Sequence, residues 1–382
     1  GDDSNTNAAV LAEYLSRNIK ADGSGVQVIG VPKTIDGDLQ IGDLLPISFG
    51  FDTATKIYSE MVGNILQDSR SSLKYWHFVK LMGRSASHVT LEVALQTQPA
   101  ITLISEEIAE KRQSLSSIVN QIAHTVVERA DKGIHHGVVI IPEGVIEFIP
   151  EMHALISELN DVLAQNAEEF EKLHAQARPM FIQNILSPEN ASLLASLPDY
   201  IVDMLLAERD SHGNLQVSLI PTEQLLIDMT ARAIAEMDAN VPFATTNHFF
   251  GYEGRCGAPT LFDAAYTYNL GLTAGSLILD GRTGYMATIT ALTSGGVPKA
   301  IPLTGLLNIE RRHGHDEFVI EKALVKTGSP SMQYFTAHRA AWAEQDCFAS
   351  PGPRQLWGPT ALQQPITVAL NSGADSLSFK IG

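Results

Sequence analysis

Short apolar runs alternate with helical segments along the first part of the chain. The runs at 26–31, 75–81, 101–104 and 138–141 have the length of buried strands, whereas the stretches between them show the apolar spacing of helices. This alternation predicts a doubly wound α/β sheet with parallel strands. Because the loops that follow parallel strands meet at one edge of such a sheet, their polar residues are the first candidates for function.

The region 150–240 breaks the alternation, because it is rich in Glu, Ala and Leu and predicts a helical insertion. Within it, the alternating run 215–220 is compatible with a strand, and clear β structure is expected to resume only near 285–290. The opening residues have the composition of a βα connection, so we expect a strand before Gly1. We divide the chain into the remainder of an N-terminal α/β domain (1–72), the first part of a second α/β domain (73–149), the insertion (150–240), a return to the α/β core (241–305) and a C-terminal segment (306–382).

The net charge and the apolar runs exclude some classes of partner. The chain carries a formal net charge of −17, which disfavours nucleic-acid binding but allows an anionic small substrate to bind through local cations. No apolar run approaches the roughly 20 residues that span a bilayer, so we expect no membrane partner. Cys256 and Cys347 cannot form a disulfide framework, and we expect them to be buried thiols in a reducing cytoplasm. The histidines of 310–316 match no structural zinc spacing, so we predict no metal site there.

The most informative segment is PKTIDGD at 32–38, directly after the first predicted strand. Asp36 and Asp38 lie two residues apart in a turn, where one carboxylate can accept a proton from a hydroxyl nucleophile while the other helps to hold a cation. Thr34 offers a hydroxyl group, and Lys33 offers a positive charge to phosphate. A turn without a catalytic role remains the alternative for this motif taken alone.

Other polar motifs flank predicted strands and helices. Asp2 and Asp3 stand at the start of a predicted helix, where carboxylates can hold Mg²⁺ beside phosphate oxygens, although capping by Ser4 or Asn5 is an equally good explanation. Arg84 in the MGR motif can bind a transferring phosphoryl group. Three further segments are open to a structural or a ligand-binding explanation: PEG at 142–144, whose Glu143 can accept hydrogen bonds from a sugar, GYEGRCG at 251–257, and ERRHG at 310–314.

These motifs occur together and in this order in one family. PKTIDGD, MGR, PEG, GYEGR and ERRHG resemble the phosphofructokinases, specifically their long pyrophosphate-dependent group, over residues 1 to about 326. The resemblance implies an α/β fold of two similar domains with the active site in the cleft between them, the first binding the phosphoryl donor and the second the sugar phosphate. The helical insertion is a feature of the long group. The resemblance also implies a homo-oligomer of two or more subunits in the cytoplasm.

By this resemblance, the motif residues transfer a phosphoryl group from Mg-pyrophosphate to fructose 6-phosphate. Asp36 is the general base for the C1 hydroxyl group, and Asp2 is the Mg²⁺ ligand, with Asp38 as a second candidate. Arg84 stabilises the phosphoryl group in flight, assisted by Lys33. The substrate-binding positions are Thr34, Asp38, Met82, Gly83, Glu143, Tyr252 and Arg255. Tyr252 is expected on the 6-phosphate side, and Lys74 is a candidate for contacts made to a neighbouring subunit.

Two positions are expected to select the donor. ATP-using relatives typically carry Gly where this chain has Asp3 and Lys33. Asp3 would fill the space of the α-phosphate of ATP and repel it, whereas Lys33 would supply a cation to pyrophosphate. Three alternatives remain open: an ATP-dependent enzyme of the same fold, a noncatalytic regulatory subunit, which would have lost the carboxylates kept here, and an inactive fragment that binds sugar phosphate.

Overall fold

A computed structural model describes residues 1–18, 25–84, 86–207, 219–237, 241–312, 315–351 and 364–373. The strands are β1 (Ile29–Gly30), β2 (Lys33–Thr34), β3 (Phe49–Gly50), β4 (Tyr75–Leu81), β5 (Ile101–Thr102), β6 (Gly137–Pro142), β7 (Ala244–Phe250), β8 (Tyr285–Thr290), β9 (Val297–Pro302), β10 (Leu307–Arg312) and β11 (His315–Ile320). The helices are α1 (Asp2–Arg17), α2 (Phe51–Ser72), α3 (His88–Thr97), α4 (Ser105–Glu110), α5 (Leu115–Asp131), α6 (Val145–Phe148), α7 (Pro150–Gln165), α8 (Ala167–Lys172), α9 (Arg178–Gln183), α10 (Pro188–Ser196), α11 (Asp199–Leu205), α12 (Thr222–Glu236), α13 (Tyr252–Arg255), α14 (Leu261–Leu279), α15 (Pro330–Gln345) and α16 (Ile366–Asn371). None of the helices within these ranges is long and apolar enough to cross a membrane.

A parallel sheet in the order β5-β6-β4-β7 positions the site. The strand β4 lies between β6 and β7, and its last residue, Leu81, pairs with Pro142 of β6 and with Phe250 of β7. The three strands therefore end side by side, and their following loops leave from the same edge. This sheet confirms the predicted α/β class with parallel strands.

The core is divided between the two faces of this sheet. Trp76 and Phe78 of β4 belong to one apolar cluster, which the helices α5, α7 and α12 cover. Val79 and Leu81 belong to a second cluster, which α2, α3 and α15 cover. Because successive strand residues point to opposite faces, a strand buried on both faces is mostly apolar. β6 fits this pattern throughout and β4 fits it apart from the buried His77 and Lys80, which explains why both strands were predictable.

The strand β7 is a correction to the sequence analysis, which placed the return of clear β structure only at 285–290. That segment is indeed a strand, β8, but Ala244–Phe250 precedes it and pairs with β4 along its whole length. The sequence ATTNHFF is mostly polar, and most of its side chains are exposed or half-buried. An edge strand of this kind lacks the continuous apolar run on which the prediction depended.

The helices α7 to α12 fill the predicted insertion, and they are not merely solvated. Apolar side chains of α7 and α12, such as Leu155 and Leu225, are fully buried in the cluster that covers the first face of the sheet. The strand considered at 215–220 lies mostly outside the described residues, and Leu219 and Ile220 are not in a strand. The division of the chain into five parts remains a prediction.

A smaller sheet in the order β1-β8-β9 carries α1 and the start of the PKTIDGD segment. The helix α1 begins at Asp2 with Gly1 as its N-cap, so the predicted cap at Ser4 or Asn5 is wrong. Asn5 is instead buried inside the helix, where its amide donates to the carbonyl oxygen of Gly1 at 2.8 Å. The expected burial of both cysteines is also wrong, because Cys256 and Cys347 are free and exposed.

Candidate active site

Backbone hydrogen bonds continue the sheet one residue beyond its three strand ends. The N–H of Met82 donates to the carbonyl oxygen of Phe250 at 3.0 Å, and the N–H of Glu143 donates to that of Leu81 at 3.0 Å. The MGR, PEG and GYEGR loops therefore start from fixed positions beside one another.

The carboxylate of Glu143 holds the MGR loop. Its Oε2 accepts hydrogen bonds from the N–H groups of Gly83 at 3.1 Å and Arg84 at 2.8 Å. The side chain of Glu143 is buried, and Arg84 has a left-handed backbone conformation with φ of 50°. Such a conformation costs on the order of 1–3 kcal/mol for a residue other than glycine, and the two charged hydrogen bonds offset this cost. The guanidinium group of Arg84 remains exposed.

The PKTIDGD segment is a turn that Thr34 orders. Its hydroxyl group donates to Oδ2 of Asp36 at 3.1 Å and accepts from the Asp36 N–H at 3.2 Å. Gly37 has a φ of +74°, and a Cβ there would lie 2.7 Å from the ring of Phe51. Glycine is therefore required at this position by both conformation and packing. The turn leaves Asp36 half-buried, with its carboxylate oriented by the threonine.

Several charged residues predicted for catalysis affect the pKa of Asp38. Burial raises the pKa of Asp38 to about 6, and the negative charges of Asp36 and Asp2 add to this rise. The positive charges of Lys322 and Arg84 oppose it. Asp2, Asp36 and Arg84 come from three separate segments, and the charge of each acts on the Asp38 carboxyl group.

The two candidates for donor selection also share one place. A Cβ on Gly1 would lie 3.6 Å from the backbone oxygen of Lys33, so the start of α1 packs against β2. Lys33 therefore lies next to the first turn of α1, which carries Asp2 and Asp3.

The sequence analysis missed Tyr58, which links the GYEGR loop to the rest of the site. Its hydroxyl group donates to the carbonyl oxygen of Gly251 at 2.7 Å. Burial raises its pKa well above the usual range, and the negative charges of Glu253, Glu143 and Asp36 add to the rise. Tyr58 lies within the helix α2, where no local pattern distinguishes it from an ordinary core residue.

Gly254 allows the GYEGR loop to pack closely against the ring of Tyr58. A Cβ there would lie 2.0 Å from Cε1 of Tyr58. The side chains of Tyr252 and Arg255 are exposed on the short helix α13, with the guanidinium carbon of Arg255 5.4 Å from the Tyr252 ring centroid. The charge of Arg255 opposes the rise in the pKa of Tyr58.

A segment near the end of the chain also reaches the site. We call residues 321–326, between β11 and α15, the C-terminal connector. The N–H of Ala323 donates to the carbonyl oxygen of Asp38 at 2.7 Å, and the Ala323 oxygen is 2.8 Å from Nε2 of His88. Nζ of Lys322 lies 3.8 Å from Oδ2 of Asp2. No motif in the sequence pointed to this segment.

Comparison with known proteins identifies the family. Residues 1–278 match the model of the phosphofructokinase family. The chain belongs to this family. It is 48% identical to the pyrophosphate–fructose 6-phosphate 1-phosphotransferase of Treponema pallidum and 50% identical to that of Porphyromonas gingivalis, matching over 100% and 97% of this chain and 68% of each relative. It is 45% identical to the beta subunit of the Solanum tuberosum enzyme, over 98% of this chain and 65% of that protein.

In this phosphofructokinase, Lys74 lies away from the residues gathered around Asp38. It precedes β4, whose seven residues span about 20 Å, whereas the site lies beyond the other end of that strand. The Nζ of Lys74 lies 5.0 Å from the centroid of the Tyr75 ring. Lys74 therefore cannot serve the site of its own chain, and a role toward a neighbouring subunit remains a prediction.

The donor set of this phosphofructokinase fits Mg²⁺ but not an all-protein metal cage. Among the described residues, no three or more His, Cys, Asp or Glu side chains are grouped so that they could hold a metal. Mg²⁺ is usually held by one or two carboxylates together with substrate phosphates and water. Asp2 and Asp38 supply such a pair, and the crowded negative charge that helps to raise the pKa of Asp38 would be relieved by a divalent cation.

Proposed function

We propose that this phosphofructokinase transfers a phosphoryl group from Mg-pyrophosphate to the C1 hydroxyl group of fructose 6-phosphate. The products are fructose 1,6-bisphosphate and phosphate, and the reaction runs in both directions. The relatives that carry this activity in their names match nearly the whole chain. The observation that carries the proposal is the adjacency of the MGR, PEG and GYEGR loops at one edge of the parallel sheet, with the charges of Asp36, Asp2 and Arg84 all acting on Asp38.

Asp36 is the general base of the proposed reaction. The Thr34 hydroxyl group donates to Oδ2 of Asp36, so Oδ1 is the oxygen left to accept the proton of the C1 hydroxyl group. A fixed carboxylate of this kind also orients the nucleophile, and orientation with electrostatic stabilisation supplies most of the catalysis in phosphoryl transfer.

Arg84 and Lys33 stabilise the phosphoryl group in flight. Negative charge spreads over its oxygens in the transition state, and cations fixed in advance stabilise that charge without reorganising. Glu143 fixes the backbone of Arg84 through two hydrogen bonds. Asp2 and Asp38 hold Mg²⁺, which neutralises charge on the donor oxygens when it is bound.

The sugar phosphate binds where the three loops leave the parallel sheet. The residues assigned to it are Thr34, Met82, Gly83, Glu143, Tyr252 and Arg255. The exposed side chains of Tyr252 and Arg255 support a role at the phosphate end of the sugar. Asp3 excludes the α-phosphate of ATP by its bulk and charge.

We assign the enzyme to a homo-oligomer in the cytoplasm. The Solanum tuberosum relative is named as a subunit, which supports an assembly of more than one chain. The two free, exposed thiols fit a reducing compartment.

A direct assay tests the proposal. The protein, as its gene encodes it, is supplied with fructose 6-phosphate, Mg²⁺ and either pyrophosphate or ATP, and fructose 1,6-bisphosphate is measured through aldolase and a coupled NADH oxidation. We expect turnover with pyrophosphate, little with ATP, and none in EDTA. A preference for ATP would restore the ATP-dependent alternative, and no turnover with either donor would favour the noncatalytic alternatives.

A further inference from the structure

The C-terminal connector is fixed to the site by several hydrogen bonds. Ala323 bonds to Asp38 through its N–H and to His88 through its oxygen. The buried carboxylate of Glu106 accepts from the N–H of Val325 at 2.9 Å. These bonds restrain the connector, and Lys322, which directly precedes the bonded residue Ala323, therefore has a defined backbone position beside the PKTIDGD turn.

The side chain of Lys322 enters a region of negative charge. Its Nζ is 3.8 Å from Oδ2 of Asp2, a distance that gives Coulomb attraction but is too long for a hydrogen bond. Its charge opposes the rise in the pKa of Asp38, and it also opposes the rise that burial causes in the pKa of Glu147. The side chain is 31% exposed, so its ammonium group remains accessible to a ligand.

We propose that Lys322 is a further substrate-binding residue, whose ammonium group binds a phosphate oxygen of the pyrophosphate donor. The inference rests on the proposed function, because it places the donor beside Asp2. Lysine is a compact point charge that suits phosphate. The charge of Asp2 attracts Lys322 toward the donor. Because Asp2 accepts no hydrogen bond from Lys322 at this distance, the three protons of the ammonium group can be donated to phosphate oxygens.

The residue is supplied by a segment that follows the motif-bearing part of the chain. Lys33 approaches the donor site from the PKTIDGD turn and Arg84 from the loop after β4. Lys322 approaches Asp2 from the connector, so the three cations come from three independent segments. A small, highly charged donor requires cations on several sides, whereas a nucleotide spreads its contacts over a base and a ribose. Lys322 therefore favours pyrophosphate.

Kinetics of three variants test this role. The variant Lys322→Met keeps the length and the apolar stem but removes the charge, and we expect the KM for pyrophosphate to rise by about 10-fold or more, the loss of one charged hydrogen bond. The KM for fructose 6-phosphate should change by less than about 2-fold. Lys322→Arg should recover much of the loss. Lys326→Met, which removes an exposed charge from the same connector, should behave as the parent.

Binding to the parent protein gives a second, independent measurement. Lysines are acetylated with and without Mg-methylenediphosphonate, a non-transferable analogue of pyrophosphate, and their modification is read by mass spectrometry. We expect the analogue to protect Lys322 and to leave Lys326 reactive. This measurement decides the question even if Lys322→Met does not fold.

Each outcome separates the inference from the function on which it rests. A parent without pyrophosphate-dependent turnover would contradict the proposed function itself. An active parent with an unchanged KM for pyrophosphate in Lys322→Met, or with Lys322 unprotected by the analogue, would overturn the inference alone. Equal damage to both KM values together with a lower melting temperature would mean that Lys322 only balances the charge of Asp2, and would also overturn it.

Discussion

Replacing Gly254 by alanine would place a methyl group against the buried ring of Tyr58. The new Cβ would lie 2.0 Å from Cε1 and 2.3 Å from Cζ of that ring, whereas carbon atoms in contact are about 3.5–4.0 Å apart. Tyr58 is fully buried, and its hydroxyl group is bonded to the oxygen of Gly251. Either the ring or the GYEGR loop must therefore move by more than about 1 Å.

Overpacking of this kind costs about 1–3 kcal/mol, and we expect Gly254→Ala to lower the free energy of unfolding by that amount. Because Arg255 is the next residue, displacement of the loop should also raise the KM for fructose 6-phosphate, while the KM for pyrophosphate changes little. Denaturant unfolding measures the first effect, and steady-state kinetics with each substrate varied measures the second.

Two comparisons isolate the clash. Gly271 lies in the helix α14 with no atom within 4 Å of a new Cβ, so Gly271→Ala should be neutral or stabilise the protein by about 0.5–1 kcal/mol. In the double variant Gly254→Ala/Tyr58→Leu the ring is gone, and the total loss should fall short of the sum of the single losses by about 0.5–3 kcal/mol. Parent-like stability of Gly254→Ala, or strictly additive losses, would refute the reasoning.

The remaining predictions concern catalysis, donor choice and pH. Asp36→Ser should lower kcat by about 10²–10⁴-fold with little change in either KM. Arg255→Ala should weaken binding of fructose 6-phosphate by about 1.5–3 kcal/mol, read as its KM, and leave the KM for pyrophosphate nearly unchanged. Asp3→Gly should lower kcat/KM for pyrophosphate and raise it for ATP, and adding Lys33→Gly should shift the ratio further, without additivity. Burial raises the pKa of Asp52 to about 7, so the folded state keeps a proton that the unfolded state loses near pH 4, and stability should fall as the pH rises from about 4 to 7. Asp52→Asn should flatten that dependence in denaturant unfolding.

Each of these predictions has a result that would contradict it. A near-normal kcat in Asp36→Ser would show that Asp36 is not the general base. Equal effects of Arg255→Ala on both substrates would make Arg255 structural, or place it between the two sites. A donor ratio that stays constant in the double variant would mean that Asp3 and Lys33 do not select the donor. An unchanged pH dependence in Asp52→Asn would assign that dependence to other buried groups.

The elements that could be predicted are those whose sequence pattern is contained within a short stretch of the chain. The strands β4 and β6 are buried on both faces, so most of their residues are apolar and stand out in a short window of the sequence. The loops after them could be placed at one edge because parallel strands force their ends together. The motif residues were assigned jointly, by their order along the chain, because each motif alone fits an ordinary turn or cap.

The features that escaped prediction depend on distant parts of the chain. The hydroxyl group of Tyr58 meets Gly251 across a separation of 193 residues, and no window in the sequence reveals that contact. In the sequence, Lys322 resembles any surface lysine. Only the hydrogen bond between the neighbouring Ala323 and Asp38 shows that the connector reaches this turn. The strand β7 has a polar edge-strand sequence, and only its pairing with β4 makes it a strand.

The hydrogen bond between the C-terminal connector and the PKTIDGD turn also affects the order in which parts of the chain can fold during synthesis. The carbonyl oxygen of Asp38 meets its partner, Ala323, only after nearly the whole chain described here has left the ribosome. Contacts so far apart in sequence are slow to form, because a long loop must close before they contribute stability. The strands of the parallel sheet can therefore pair before the PKTIDGD turn, which carries the proposed general base Asp36, gains its hydrogen bond to the connector. The surroundings of Asp38 are complete only after the segment around residue 323 has joined the rest of the fold.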